Sequence, residues 1–104
     1  MRRAARIDAN QKYIVKILRL MGYSVAITSA CGKGFPDIVV GDSKKNYLFE
    51  IKDGDKYKSQ QKLTAAEQEF ADSWKGQYDI INCLDDAIKI INSTDLSHPR
   101  TLNQ

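Results

Sequence analysis

Thiols and imidazoles are scarce in this chain, and their scarcity excludes several chemistries. Cys31, Cys83 and His98 are the only such side chains. Two distant cysteines and one histidine cannot close the four-ligand shell of a structural zinc site. Both cysteines read as free thiols of a reducing compartment. Long apolar runs are missing too, and no stretch approaches the length that spans a bilayer. The basic opening Met1-Arg2-Arg3-Ala4-Ala5-Arg6 is not followed by the apolar segment of a secretory signal, so an intracellular, cytoplasmic protein is expected. There are no repeats, low-complexity segments or internal linkers. Neither charge sign dominates: 16 Lys+Arg stand against 13 Asp+Glu, a net +3, which hints only weakly at a polyanionic partner.

What is present is one ordinary globular domain. A chain of 104 residues holds one core and is too short for two. The domain is expected over residues 1–92, with a polar tail over 93–104. Ile14, Ile17, Leu18 and Met21 recur at helical spacing and predict a first helix over Asp8–Met21. Asp8 suits its N-cap, Gln11 the capping-box position and Gly22 its C-cap. Strands are expected over Tyr23–Thr28, Ile38–Gly41 and Asn46–Lys52. The loop Ser29–Phe35 separates the first two, and the turn Asp42-Ser43-Lys44-Lys45 the last two. A polar, lysine-rich stretch runs from Asp53 to Lys62. Thr64-x-x-Glu67 is a capping box that opens a helix burying Ala66, Phe70 and Trp74, with Gly76 after it. A fourth strand over Tyr78–Asn82 and a short helix over Asp86–Ile91, with Ala87, Ile88 and Ile91 inward, complete the order. The fold class is α/β, a four-stranded mixed sheet flanked by helices in the order α-β-β-β-α-β-α.

The hairpin concentrates the chemistry. A turn centred between Ser43 and Lys44 sets Gly41 against Asn46, Val39 against Leu48 and Asp37 against Glu50. Side chains so opposed have Cβ atoms roughly 4.5–5.5 Å apart. Lys52, two residues beyond Glu50, lies on the same face, while Phe49 and Ile51 point into a core. Two opposed carboxylates repel unless something joins them. A divalent cation does so, since Mg²⁺ takes carboxylate oxygens at about 2.0–2.1 Å and fills its shell with water. Lys52 could hold or deprotonate an attacking water, or neutralise a phosphate. These are the parts of phosphodiester hydrolysis. Solvated alternation on a strand gives the same pattern, and a register slip of one residue would separate the pair.

Weaker signals surround it. Arg2, Arg3, Arg6, Lys12, Lys16 and Arg19 crowd the first twenty residues, and Lys52, Lys56, Lys58 and Lys62 a second stretch. Both read either as solvated surface or as contacts to a polyanion. Gly32-Lys33-Gly34 lacks the remaining residues of a phosphate-binding P-loop, which excludes that nucleotide site. Lys33 could still reach a DNA phosphate. Asp53-Gly54-Asp55 lacks the further ligands of a calcium loop.

Gly34-Phe35-Pro36-Asp37 followed by Glu50-Ile51-Lys52 resembles the Pro-Asp…Glu-x-Lys motif of the PD-(D/E)xK nuclease superfamily. The resemblance is strongest to short phage-type members of its VRR-NUC group, with archaeal Holliday-junction resolvases as cousins. It extends through Asp8-Ala9-Asn10-Gln11, Gly32 to Asp37, the Glu-Ile-Lys-Asp-Gly run and Leu63-Thr64-Ala65-Ala66-Glu67-Gln68. It implies a restriction-endonuclease-like core and a Mg²⁺- or Mn²⁺-dependent DNA endonuclease. Asp37, Glu50 and the Ile51 backbone carbonyl would hold the metal, and Lys52 would serve the nucleophilic water. It also implies branched, flap or four-way junction DNA as substrate, a two-fold homodimer, and a bacterial or phage-infected cell. Relatives often carry a glutamate on the first helix. Here Asn10 occupies that expected position, with Asp8 as a nearby substitute. Gln68 would correspond to a phosphate-proximal glutamine, or else is a solvated helix position, and Glu67 reads as the capping residue. Lys33, Lys56, Lys58 and Lys62 are the candidate DNA contacts. The alternative function is a catalytically inactive DNA-binding module on the same fold.

Overall fold

Gln11, Ile14, Val15 and Leu18 recur at intervals of three, one and three, and they form the buried stripe of α1 (Ala9–Leu20). The stripe is rotated from the expected one. Val15 is inside and Met21 is 48% exposed, because the helix stops at Leu20. There Gly22 adopts φ +101, its N–H bonds Arg19 O, and Tyr23 N–H bonds Leu18 O. This is the left-handed termination glycine favours. The computed structural model describes residues 9–52 and 62–93. Residues 1–8, 53–61 and 94–104 lie outside them, and with them Asp8, Lys56 and Lys58.

Four strands follow the expected order: β1 (Ser24–Ile27), β2 (Ile38–Gly41), β3 (Asn46–Ile51) and β4 (Asp79–Ile81). They form one sheet in the order β1-β2-β3-β4. The first three are antiparallel and β4 runs parallel to β3, so the sheet is mixed. Asp42 fixes the β2–β3 turn. Its Oδ1 accepts the N–H groups of Lys44 and Lys45 at 2.8 and 2.9 Å, and its Oδ2 accepts the Tyr47 hydroxyl at 3.0 Å. Those N–H bonds are the chief reason its carboxyl titrates below the ordinary range. The resulting register sets Gly41 against Asn46 and Val39 against Leu48.

Alternation then sorts the strands. Ile38, Val40, Tyr47, Phe49 and Ile51 face α1 and α3 (Leu84–Ser93) and, with Ile14, Val15, Leu18, Ile81, Ala87 and Ile91, make the core. The last helix is longer than expected at both ends, and Ala87 and Ile91 are its buried residues. Among the described residues no helix is long and apolar enough to cross a membrane.

The opposite face carries α2 (Ala65–Ser73), which departs from expectation. None of its residues is fully buried. Trp74 lies just past its end, 43% exposed, stacked on Phe70 at 5.0 Å. The helix is held by its capping box and by Phe70, whose ring meets Phe35 at 5.4 Å and Tyr78 at 5.6 Å. Between α2 and β4, Gln77 substitutes for strand backbone. Its Oε1 accepts Leu48 N–H and its Nε2 donates to Leu48 O, so β3 stays paired one residue before β4 begins.

Candidate functional site

Asp37 follows Pro36 at the point where β2 starts. Its backbone carbonyl accepts Thr28 N–H at 2.8 Å, which ties it to the residue that follows β1. Continued by two residues, the β2–β3 register would bring Pro36 opposite Ile51. The carboxylate of Asp37 takes over there, as its Oδ2 accepts Ile51 N–H at 2.8 Å. Asp37 is thus anchored to the backbone beside Glu50, and Ile51 belongs to the same cluster.

Glu50 shares its face with Lys52, as the alternation requires. Lys52 Nζ lies 3.4 Å from Glu50 Oε2. Glu50 is 2% exposed, and its Oε1 is buried without a hydrogen-bond partner among the described residues. Burial first, and then the charges of Asp37 and Glu67, push its carboxyl up to about 8. Lys52 only partly opposes this.

Glu67, which the sequence marks as a capping residue, has a second role. Thr64 Oγ1 accepts Glu67 N–H at 3.2 Å, and Glu67 Oε1 accepts Thr64 N–H at 2.9 Å. The same Oε1 accepts a hydrogen bond from Lys52 Nζ at 3.0 Å. Burial alone would raise the Glu67 pKa, but the Thr64 N–H and the Lys52 ammonium together hold it below the ordinary range. Burial would likewise lower Lys52, yet Glu67 and Glu50 keep its ammonium above its usual value. The signal was visible in the sequence only as a cap; the reach to Lys52 depends on how α2 docks. Thr64→Ala should cost about 1 kcal/mol through the lost cap, a melting-point fall of roughly 4–8 °C in a domain this small. Thermal unfolding by circular dichroism checks it.

The other expected residues are dispersed. Asn10 donates from Nδ2 to Asn82 O at 3.2 Å, toward the β4–α3 junction. The polar residue that α1 buries is its neighbour Gln11, whose Nε2 donates to Ser29 Oγ at 2.9 Å. Ser29 Oγ in turn lies 3.5 Å from Asp37 O. Gln68 lies on the exposed side of α2 and donates to Asp72 Oδ1 at 2.9 Å, not to the cluster. Lys33 and Lys62 are exposed, and Lys33 holds a left-handed φ of +58 between two glycines. Cys31 and Cys83 are free and exposed. Among the described residues no group of three or more His, Cys, Asp or Glu is arranged to hold a metal ion, so a cation here would rest on two carboxylates and backbone oxygen.

No protein family, characterised protein or solved structure matches the chain.

Proposed function

We propose that this chain is a divalent-metal-dependent endonuclease that hydrolyses DNA phosphodiester bonds, with Asp37, Glu50 and Lys52 at its centre. The observation that carries it is Glu50: a buried acid, one oxygen without a partner among the described residues, packed with Asp37 and Glu67 beside the Lys52 ammonium. An unsatisfied buried carboxylate is costly, and such groups in native proteins mark missing ions or catalytic roles. The donor set fits Mg²⁺ or Mn²⁺, because carboxylate and carbonyl oxygens suit hard cations. Asp37, Glu50 and the Ile51 carbonyl would hold the ion. When bound, it lowers the pKa of a water and stabilises charge on the phosphate.

The chain's own residues do the rest. Lys52, kept as an ammonium by Glu67 and Glu50, donates to oxygens of the phosphate or water and offsets the charge that builds during attack. Glu67 aims that ammonium, and the Ile51 N–H aims Asp37. The water oxygen bonds to phosphorus as one phosphorus–oxygen bond to sugar breaks. One water proton ends on the leaving alcohol, and the other is left on, or lost from, the new terminal phosphate. Exposed Lys33 and Lys62 are suited to salt-sensitive backbone contacts. Branched, flap or four-way substrates and a two-fold homodimer belong to this proposal through the family resemblance.

A second reading, the fold retained for DNA binding without hydrolysis, is favoured by one observation: α1 offers Asn10, turned to Asn82, where an acid would complete the site. Labelled linear, flap and four-way DNA incubated with Mg²⁺ or Mn²⁺ separates the two. Cleavage by the wild type, halted by chelation and slowed at least about 10²-fold in Lys52→Ala, is expected. Equal inertness of both with retained DNA affinity would establish the binding module. Absence of any salt-dependent affinity defeats both.

A further inference from the structure

The hydrolytic machinery proposed above does not use Tyr78, yet the Tyr78 hydroxyl is buried and makes no hydrogen bond among the described residues. The parallel register sets Phe49 beside Asp79 and Glu50 beside Ile80, so Leu48 lies beside Tyr78. Side chains of paired residues share a face, and alternate residues return to it. Tyr78 therefore stands on the Glu50 face, diagonally adjacent to Glu50. Its ring packs against Phe70 at 5.6 Å, and Phe70 follows Glu67 by three residues, on the same side of α2. The hydroxyl is thus covered by the helix that carries Glu67. Burial first, then the charges of Glu50, Glu67 and Asp37, push its pKa up to about 12, so it is a phenol and can donate.

Among the described residues, the buried side-chain polar atoms without a partner are Tyr78 Oη and Glu50 Oε1. Both belong to one face, beneath one helix. Native proteins leave few such atoms, and those they leave are commonly joined through an ordered water. A phenol donates and a carboxyl oxygen accepts, so a water that accepts from the first and donates to the second satisfies both.

We propose that Tyr78 is a positioning residue whose hydroxyl, together with Glu50 Oε1, holds a water at the centre of this site. On the hydrolase assignment, which this step rests on, that water is the one presented to the phosphate. Tyr78 moves no proton; it fixes where the oxygen sits. The phenol ring alone cannot do this, so Tyr78→Phe isolates the hydroxyl with little change in shape.

The test compares wild type and Tyr78→Phe in crystals, in Mn²⁺ titration and in single-turnover cleavage. Wild-type crystals should show an ordered oxygen about 2.5–3.0 Å from both atoms, and the variant should lack it. At saturating Mn²⁺ the variant's kcat should fall about 10-fold, the worth of one hydrogen bond. KM for DNA and Mn²⁺ affinity should not change, and the melting temperature should stay close to that of wild type, since the one hydrogen bond lost with the hydroxyl has a small net effect on stability. A variant with kcat within about two-fold of wild type, or one that keeps the oxygen in place, overturns the proposal. So does a variant that loses stability and Mn²⁺ affinity together, which marks a packing role. A wild type with the bridging oxygen that cleaves no DNA overturns the hydrolase assignment and leaves the water site standing. A wild type that cleaves without that oxygen overturns the Tyr78 proposal alone.

Discussion

Glu50→Gln should make the metal-free protein more stable at pH 8 while it removes metal-dependent cleavage. The carboxyl is pushed up to about 8 by burial and then by Asp37 and Glu67, whereas in the unfolded chain it titrates near the ordinary glutamate value of about 4.3. Between those values the native state binds more protons than the unfolded one. Stability therefore falls as pH rises through that window: the favourable contribution is whole below the unfolded pKa and lost by the time pH passes the folded pKa. Glutamine resembles the protonated acid in shape and does not titrate. The melting curves of wild type and variant should coincide near pH 4 and separate as pH rises. At pH 8 the gap should reach a few kcal/mol at most, each worth roughly 4–8 °C. Mg²⁺ or Mn²⁺ should close it from the other side, because a ligand bound only by the native state raises the melting temperature of wild type. The variant, short of one anionic ligand, should gain much less. Cleavage in the variant should drop at least about 10³-fold, the upper end for loss of one charge-stabilising group. If Glu50→Gln melts at or below wild type at pH 8, and metal shifts both equally, Glu50 is neither strained nor a ligand, and the assignment to hydrolysis loses its main support.

How far such a site can be read before folding is shown by its individual residues. The hairpin was legible because it is local. Asp42 and the residues after it fix a short turn, the turn fixes the register, and the period of two in a strand puts Glu50 and Lys52 on one face and Phe49 and Ile51 on the other. The four-stranded mixed sheet was legible in the order of elements for the same reason. Helix phase was harder. A stripe through Ile14, Ile17, Leu18 and Met21 and one through Gln11, Ile14, Val15 and Leu18 share two residues and differ by a small rotation. Only the place where the helix stops, and the sheet it packs against, chooses between them. That rotation is what brings Gln11 inward to Ser29 and leaves Asn10 beside Asn82. Glu67 and Tyr78 were hidden for a different reason. Glu67 satisfies a local rule as a capping residue, and nothing local reveals that the same oxygen also receives Lys52. Tyr78 joins the Glu50 face through a parallel pairing between strands separated by a helix, which no neighbouring residue encodes. Trp74 misled through its size: an indole at helical spacing from Phe70 suggests a core, but it sits past the end of a helix with no buried face.

The docking of α2 on the site is itself open to a severe test at Gly34. Gly32, Lys33 and Gly34 all hold positive φ, at 84, 58 and 77, so the loop before Asp37 turns through three left-handed residues. At Gly32 a Cβ would meet nothing within 4 Å. At Gly34 it would collide with the carbonyl of Ala66 and lie 2.8 Å from Glu67 N. Those are backbone atoms of the first turn of α2, so no rotamer change relieves the overlap. Gly32→Ala should then cost only the left-handed strain, about 1–2 kcal/mol. Gly34→Ala should add an overpacking cost of roughly 1–3 kcal/mol, for a melting-point loss on the order of 10–25 °C. The functional consequence follows from the same contact. Pushing the first turn of α2 away moves Glu67, and with it the oxygen that holds Lys52 at 3.0 Å. Gly34→Ala should therefore lose more cleavage than its folded fraction accounts for, measured well below its melting temperature. Gly32→Ala should retain activity in proportion to its folded fraction. Equal melting temperatures and equal rates for the two variants would mean that the loop and the helix do not touch, and that Lys52 is aimed by something other than Glu67.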